Sequence, residues 1–224
     1  AVAADRPGDA EVWLSHLLGR VAPRSSVGVN DPPLAPCAAS PAPSAPEGSV
    51  LATVTSATIL GVEGRPVTVE VHVGPGLPGF TVVGLPDASC REARDRVKAA
   101  LHASGLALPA RRIIINLAPA DLPKEGSHYD LPIALGLMAA LGALPGDQLG
   151  DFVALGELAL DGTISAVAGV LPAAIAANAM GRGLICPSPC GAEAAWASRD
   201  MAILAPRSLI AIANHFRGTQ VLSR

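Results

Sequence analysis

What most constrains this chain is a change of texture at residue 49. From Asp31 to Gly48 the sequence is a run of Pro, Ala and Ser. Such a composition buries too little apolar surface to offset the entropy lost on ordering. Ahead of that run, a short helix is expected over Asp9–Gly19, with Val12, Leu14, Leu17 and Leu18 as its apolar positions. Residues 1–48 therefore read as a largely disordered tail, and the fold must come from residues 49–224. That remainder suits one domain and is long enough to bury a core without disulfides or metals.

From residue 49 the pattern predicts interleaved strands and helices. Ser49–Leu60 and Pro66–Val73 are rich in Val, Thr and Ile, and Gly61-Val-Glu-Gly64 lies between them, which predicts a hairpin. Gly74–Gly79 is a Pro/Gly loop, and Phe80–Val83 a third short strand. Asp87 is placed to cap a helix from Ala88 to about Ser104, stopped by Gly105. Cys90, Ala93, Val97, Ala100, Leu101 and Ser104 recur at helical spacing as its buried stripe. Arg111–Leu117 contains Ile113-Ile114-Ile115, the mark of an inner strand. Asp130 is placed to cap a second helix, with Pro132 in its first turn. Further strands are expected at Phe152–Leu155, Leu158–Leu160, Gly183–Ile185 and Met201–Leu204, and helices at Ala166–Met180, Gly191–Ala197 and Ser208–Phe216. The fold class is α/β.

Composition removes several function classes. Half the residues are hydrophobic, and the formal net charge is -3. Nucleic-acid binding driven by bulk charge needs a basic surplus, which is missing. Aromatic residues are only 3%, which disfavours a platform of stacked rings. Four cysteines, Cys37, Cys90, Cys186 and Cys190, include only one close pair, so they read as free thiols of a reducing compartment, the cytoplasm. The uncharged stretches Leu131–Gly146 and Thr163–Gly181 read as buried helices rather than membrane spans. The two lysines, Lys98 and Lys124, follow no phosphate-cradling glycine loop. Gly74-Pro-Gly-Leu-Pro-Gly79 matches Gly-x-Gly-x-x-Gly only superficially, because it precedes a strand and its prolines remove backbone donors. The five histidines show no metal-binding spacing.

Two segments carry a resemblance. The first runs Gly76-Leu-Pro-Gly-Phe-Thr-Val-Val-Gly-Leu-Pro-Asp-Ala-Ser-Cys-Arg-Glu-Ala-Arg-Asp-Arg-Val97. The second runs Asn116-Leu-Ala-Pro-Ala-Asp-Leu-Pro-Lys-Glu-Gly-Ser-His-Tyr-Asp-Leu-Pro-Ile-Ala134, and Gly156-Glu-Leu-Ala-Leu-Asp-Gly162 adds a third match. Together they resemble the N-terminal domain of the magnesium chelatase-like AAA+ ATPases of bacteria, the YifB/ComM type, from about residue 50 to about residue 220. The resemblance implies a ribosomal protein S5 domain 2-like fold, similar to the proteolytic domain of Lon. It also implies hexameric assemblies associated with DNA branch migration in natural transformation. The chain stops at Arg224, about where the ATPase module would begin. ATP and magnesium are therefore expected only with that module, and no cofactor or metal in this chain.

Lon uses a serine nucleophile with a lysine base, which must be neutral to accept the serine proton. By the resemblance, the serine position is His128, with Ser127 one residue early, and the lysine position is Leu171. No lysine follows Lys124. The expectation is a non-enzymatic accessory domain whose partners are AAA+ modules or subunits of its family, homo-oligomers included. DNA is at most a weak partner and membrane none. The alternatives are a stand-alone interaction domain from a truncated or split gene, or a peptidase with a shifted Ser127–Lys124 pair. Arg91, Arg94 and Lys98 fall on one helix face, and Arg111 and Arg112 follow in sequence. These five are the candidate contacts to phosphate or to a subunit. Glu92–Arg96 and Arg91–Asp95 pairs at i, i+4 would instead make that face an ordinary solvated one.

Overall fold

The structure is a computed structural model, and it describes residues 48–220 and 222. The expected helix over Asp9–Gly19 lies outside the described residues. Two Val/Thr-rich runs form the expected hairpin: β1 (Val50–Leu60) and β2 (Glu63–Gly74) pair antiparallel along their whole length, ending at Leu60↔Glu63. Gly61, with φ 64°, supplies the positive dihedral of the two-residue turn. Then come β3 (Gly79–Val83), α1 (Ala88–Ala103) and β4 (Arg112–Ala118). α2 (Asp130–Ala140), α3 (Gly146–Leu149) and β5 (Phe152–Ala154) follow. A small hairpin of β6 (Glu157–Leu158) and β7 (Ile164–Ser165) leads to α4 (Val170–Ala179). The described chain closes with β8 (Gly183–Ile185), α5 (Gly191–Ala194), β9 (Ile203–Leu204) and α6 (Leu209–Phe216).

The main sheet has seven strands in the order β3-β4-β2-β1-β5-β8-β9. β1/β2 and β2/β4 are antiparallel, and the other neighbouring pairs are parallel. The fold is mixed α/β, as the alternation of patterns predicts. Period-two alternation gives the sheet two different faces. Val67, Val69, Val71 and Val73 of β2 are buried toward the side that carries α1 and α2. Gly136 of α2 packs so closely that a Cβ there would lie 2.5 Å from Val71 Cγ2. α2 has no polar face, and Asp130 through Met138 are all buried. α1 buries the predicted stripe of Cys90, Ala93, Val97, Ala100 and Leu101, and Ser104 beyond it. On the opposite face, α4 packs Val170, Ala173, Ala174 and Ala177 over Ala57, Val153 and Leu184. No helix among the described residues is long and apolar enough to cross a membrane.

Two expectations need correction. The third predicted helix begins at Val170 rather than Ala166, because Gly169 takes a left-handed φ of 82° and starts the helical ladder there. Asp130 does not cap α2. The 3-10 turn Ser127–Tyr129 runs straight into the helix, the Asp130 N–H bonds to Ser127 O, and the carboxylate points inward instead. Asp87 does cap α1, accepting from the Cys90 N–H at 2.7 Å.

Candidate functional site

The first two resemblance segments fold against each other. Gly84 takes φ 99°, and a Cβ there would lie 2.1 Å from Leu117 O, so glycine is required. Leu85 then turns the chain with φ 59°. Pro86 bridges Lys124, and the Asp87 N–H donates to Lys124 O at 3.0 Å. One Asp87 oxygen takes the Cys90 N–H, and the other takes the Gly126 N–H at 3.0 Å. Burial works against the Asp87 charge. The two backbone donors and Arg91 outweigh it and hold the carboxyl below its ordinary range. From β1, Thr58 Oγ1 donates to Pro123 O at 3.1 Å. The Cys90 thiol lies 3.3 Å from Lys124 O and 3.2 Å from Gly126 O. The Pro123–His128 loop is thus held by β1, by the turn before α1 and by α1 itself.

Beside this loop lies a cleft of about 680 Å³, whose polar lining includes Thr58, Asp87, Glu125, Ser127, His128 and Glu157. Ser127 Oγ donates to Glu157 Oε2. Burial pushes His128 below its usual range, so the ring is neutral at pH 7 and its Nε2–H donates to Ala57 O at 2.9 Å. Lys124 is fully buried, and its ammonium donates to Pro119 O. Desolvation lowers its pKa, with Asp121 acting in the other direction. Lys124 does not line the cleft, and the Ser127 hydroxyl is bound to a carboxylate rather than an amine. Leu171, at the position where the resemblance places the Lon lysine, gives its backbone N–H to Glu193 at 3.1 Å.

A buried ion pair locks three elements together. Arg96 of α1 grips Asp130 with two bonds, Nε to Oδ2 at 2.6 Å and Nη2 to Oδ1 at 3.0 Å. Arg96 also donates to Ser89 O at 2.9 Å, and Asp130 accepts from the Leu158 N–H of β6 at 3.2 Å. Sequence spacing assigns Arg96 only to Glu92, a contact present at 3.5 Å but exposed on the Glu92 side. No local pattern reveals a partner 34 residues away.

The five candidate cations do not form one patch. Arg91, Arg94 and Lys98 share the exposed face of α1, as their spacing predicts. Arg91 donates to Pro86 O at 3.0 Å, and Arg94 pairs with Asp95 at 3.0 Å. The expected Arg91–Asp95 pair is therefore replaced by a bond between sequence neighbours. Lys98 sits 5.5 Å from the centre of the Phe80 ring and shares a second cavity with Arg111. Arg112 alternates with the inward Ile113, so it emerges on the sheet face turned away from α1. Among the described residues, no group of His, Cys, Asp or Glu is arranged to hold a metal.

A mixed α/β domain in which these segments build one loop-and-cleft unit defines a class. The family model for the ChlI subunit of magnesium chelatase matches residues 69–189, more than half of the chain, and the chain belongs to this magnesium chelatase-like family, in its YifB/ComM branch. It is 46% identical over 155 residues to the uncharacterized protein YifB of Salmonella typhimurium, covering 69% of this chain and 31% of that protein. It is 50% identical over 135 residues to YifB of Escherichia coli, covering 60% of this chain and 27% of that protein. The competence protein ComM of Haemophilus influenzae is likewise 50% identical over 135 residues, covering 60% of this chain and 26% of ComM. The chain spans less than a third of the length of these curated relatives.

Proposed function

We propose that this chain is a non-catalytic accessory domain with the ribosomal protein S5 domain 2-like, Lon-like fold. It serves in the cytoplasm to assemble or steer a AAA+ ATPase of its family. ATP and magnesium belong to the ATPase module, and the assembled motor acts on DNA during competence. Similarity to ComM supports the competence setting, and the free, buried Cys90, Cys186 and Cys190 suit a reducing compartment. One observation carries the non-catalytic reading. The lysine nearest Ser127 in sequence spends its ammonium on Pro119 O inside the core, and Ser127 spends its hydroxyl on Glu157. A serine–lysine mechanism needs those two groups bonded to each other. The test is cleavage of casein and hydrolysis of ATP by the purified chain, beside Ser127→Ala and Lys124→Met. All three proteins should match the blank. Turnover by the native chain that either substitution abolishes would overturn the reading. Addition of the family's ATPase module should shift its sedimentation, and unchanged sedimentation would refute the accessory role.

A further inference from the structure

Helix α4 contains no charged residue, and Asn178 is its one polar side chain. A helix that is apolar all round belongs inside a protein, covered on every side. The sheet covers one side of α4, where Val170, Ala173, Ala174 and Ala177 are buried. On its outer side Ile175 is 54% exposed, and Met180 at its end is 37% exposed. With Pro172 these two form one wall of a groove of about 450 Å³. The other wall is the turn of the β1–β2 hairpin, with Pro66 and Val62, the latter 89% exposed. A Cβ on Gly64 would lie 2.5 Å from Pro172 O, so the walls touch and the groove is preformed. The two charged residues that line it, Glu63 and Arg65, pair with each other at 2.7 Å. What remains for a ligand is an apolar surface.

The sequence holds a matching element. Ala10, Trp13, Leu14, Leu17 and Leu18 stand at i, i+3, i+4, i+7 and i+8, which makes one apolar stripe, with Val12, Ser15 and His16 on the opposite side. These positions lie outside the described residues, which begin at Gly48. Residues 22–47 join the two parts, and they span about 85 Å at full extension or about 30 Å as a flexible coil. The groove lies at the hairpin turn, and β1 from Val50 to Leu60 is about 33 Å long. The tether therefore reaches, and it keeps the stripe near the groove at high effective concentration.

We propose that residues 10–18 dock as a helix in the groove between α4 and the β1–β2 turn, laying Trp13, Leu14 and Leu17 against Ile175, Met180 and Val62. This is the helix-in-groove mode of recognition, made within one chain. It rests on neither the accessory role nor the Ser127 cleft. Tryptophan fluorescence of the full chain tests it. Trp196→Phe removes a ring that is 85% exposed and leaves Trp13 as the one tryptophan. In that background the native emission should lie to the blue of the emission in urea, and acrylamide should quench it several-fold less. Ile175→Glu and Val62→Glu, both at exposed positions, should each return quenching to near the urea value with unchanged far-UV circular dichroism. Leu17→Glu should do the same from the other side of the contact. Leu160→Glu, exposed but outside the groove, should leave Trp13 protected. Trp13 quenched as freely in the native chain as in urea, or protection indifferent to Ile175→Glu and Val62→Glu, would overturn the proposal. Protection lost on dilution would overturn docking within one chain and assign the groove to the same segment of a second copy.

Discussion

Replacing Arg96 with Met tests the ion pair with Asp130. Asp130 is fully buried, and the side chain of Arg96 is 20% exposed. Burial alone pushes the Asp130 carboxyl up, and Arg96 with the Leu158 N–H pulls it back. Met keeps much of the aliphatic volume but strands a carboxylate in the core. Removing one partner of a buried pair costs about 3–5 kcal/mol. For a folded unit of this size that lowers Tm by roughly 6–20 °C. Urea denaturation followed by circular dichroism at pH 7 measures it. The pH dependence gives a second, sharper readout. Without Arg96 the native carboxyl titrates higher still, so the native state binds a proton that the unfolded chain has already lost. The deficit of Arg96→Met against the native chain should therefore shrink as pH falls from 7 toward 5. Pairing Arg96→Met with Asp130→Leu should recover part of the loss. A deficit under about 1 kcal/mol at pH 7, or one that grows as pH falls, would refute the picture of a desolvated, paired Asp130.

Further tests follow from the same structure. Gly84→Ala should cost roughly 2–4 kcal/mol by denaturant titration, since it combines a positive φ with a clash on Leu117 O. Gly61→Ala, with positive φ but open space around its Cβ, should cost only about 1 kcal/mol; equal costs would show the clash to be relieved. Burial pushes Cys90 and Cys186 up to about 12, so both should resist iodoacetamide in the native chain at pH 8 and react on unfolding, as read by peptide mass spectrometry. Rapid native labelling of either would contradict their burial. His128 titrates lower in the native chain than unfolded, so stability should fall as pH drops below about 6.5 and level off beneath the native value. That slope should diminish in His128→Gln, and an unchanged slope would assign it to other groups.

Much of the fold is legible because it is written in local periodicity. The hairpin, the α1 stripe and the Ile113–Ile115 strand each carry a period of two or of helical spacing that survives into the structure. α4 is misplaced at its start for a physical reason. Ala166 to Gly169 has helical composition, and only the left-handed backbone at Gly169, which any glycine can adopt or decline, ends the preceding loop. Asp130 fails as a cap because a cap and a buried anion look alike in sequence. An aspartate before an apolar run satisfies both, and only the distant Arg96 decides between them.

The candidate site shows the same division more sharply. The resemblance to Lon, and the residues His128 and Leu171 that stand at its serine and lysine positions, are enough to expect that the dyad is missing; composition and spacing add that no lysine follows Lys124. They do not reveal that the nearby Lys124 is turned into the core, because a buried lysine among few lysines has no pattern of its own. They also separate Lys98 from Arg111 by thirteen positions, whereas the return of the chain from α1 into β4 sets both around one cavity. Clustering of charge across a crossover is a property of the path, not of any window of sequence. That is why the five cations, read as one patch, divide into a solvated helix face, a cavity lining and an arginine on the far side of the sheet.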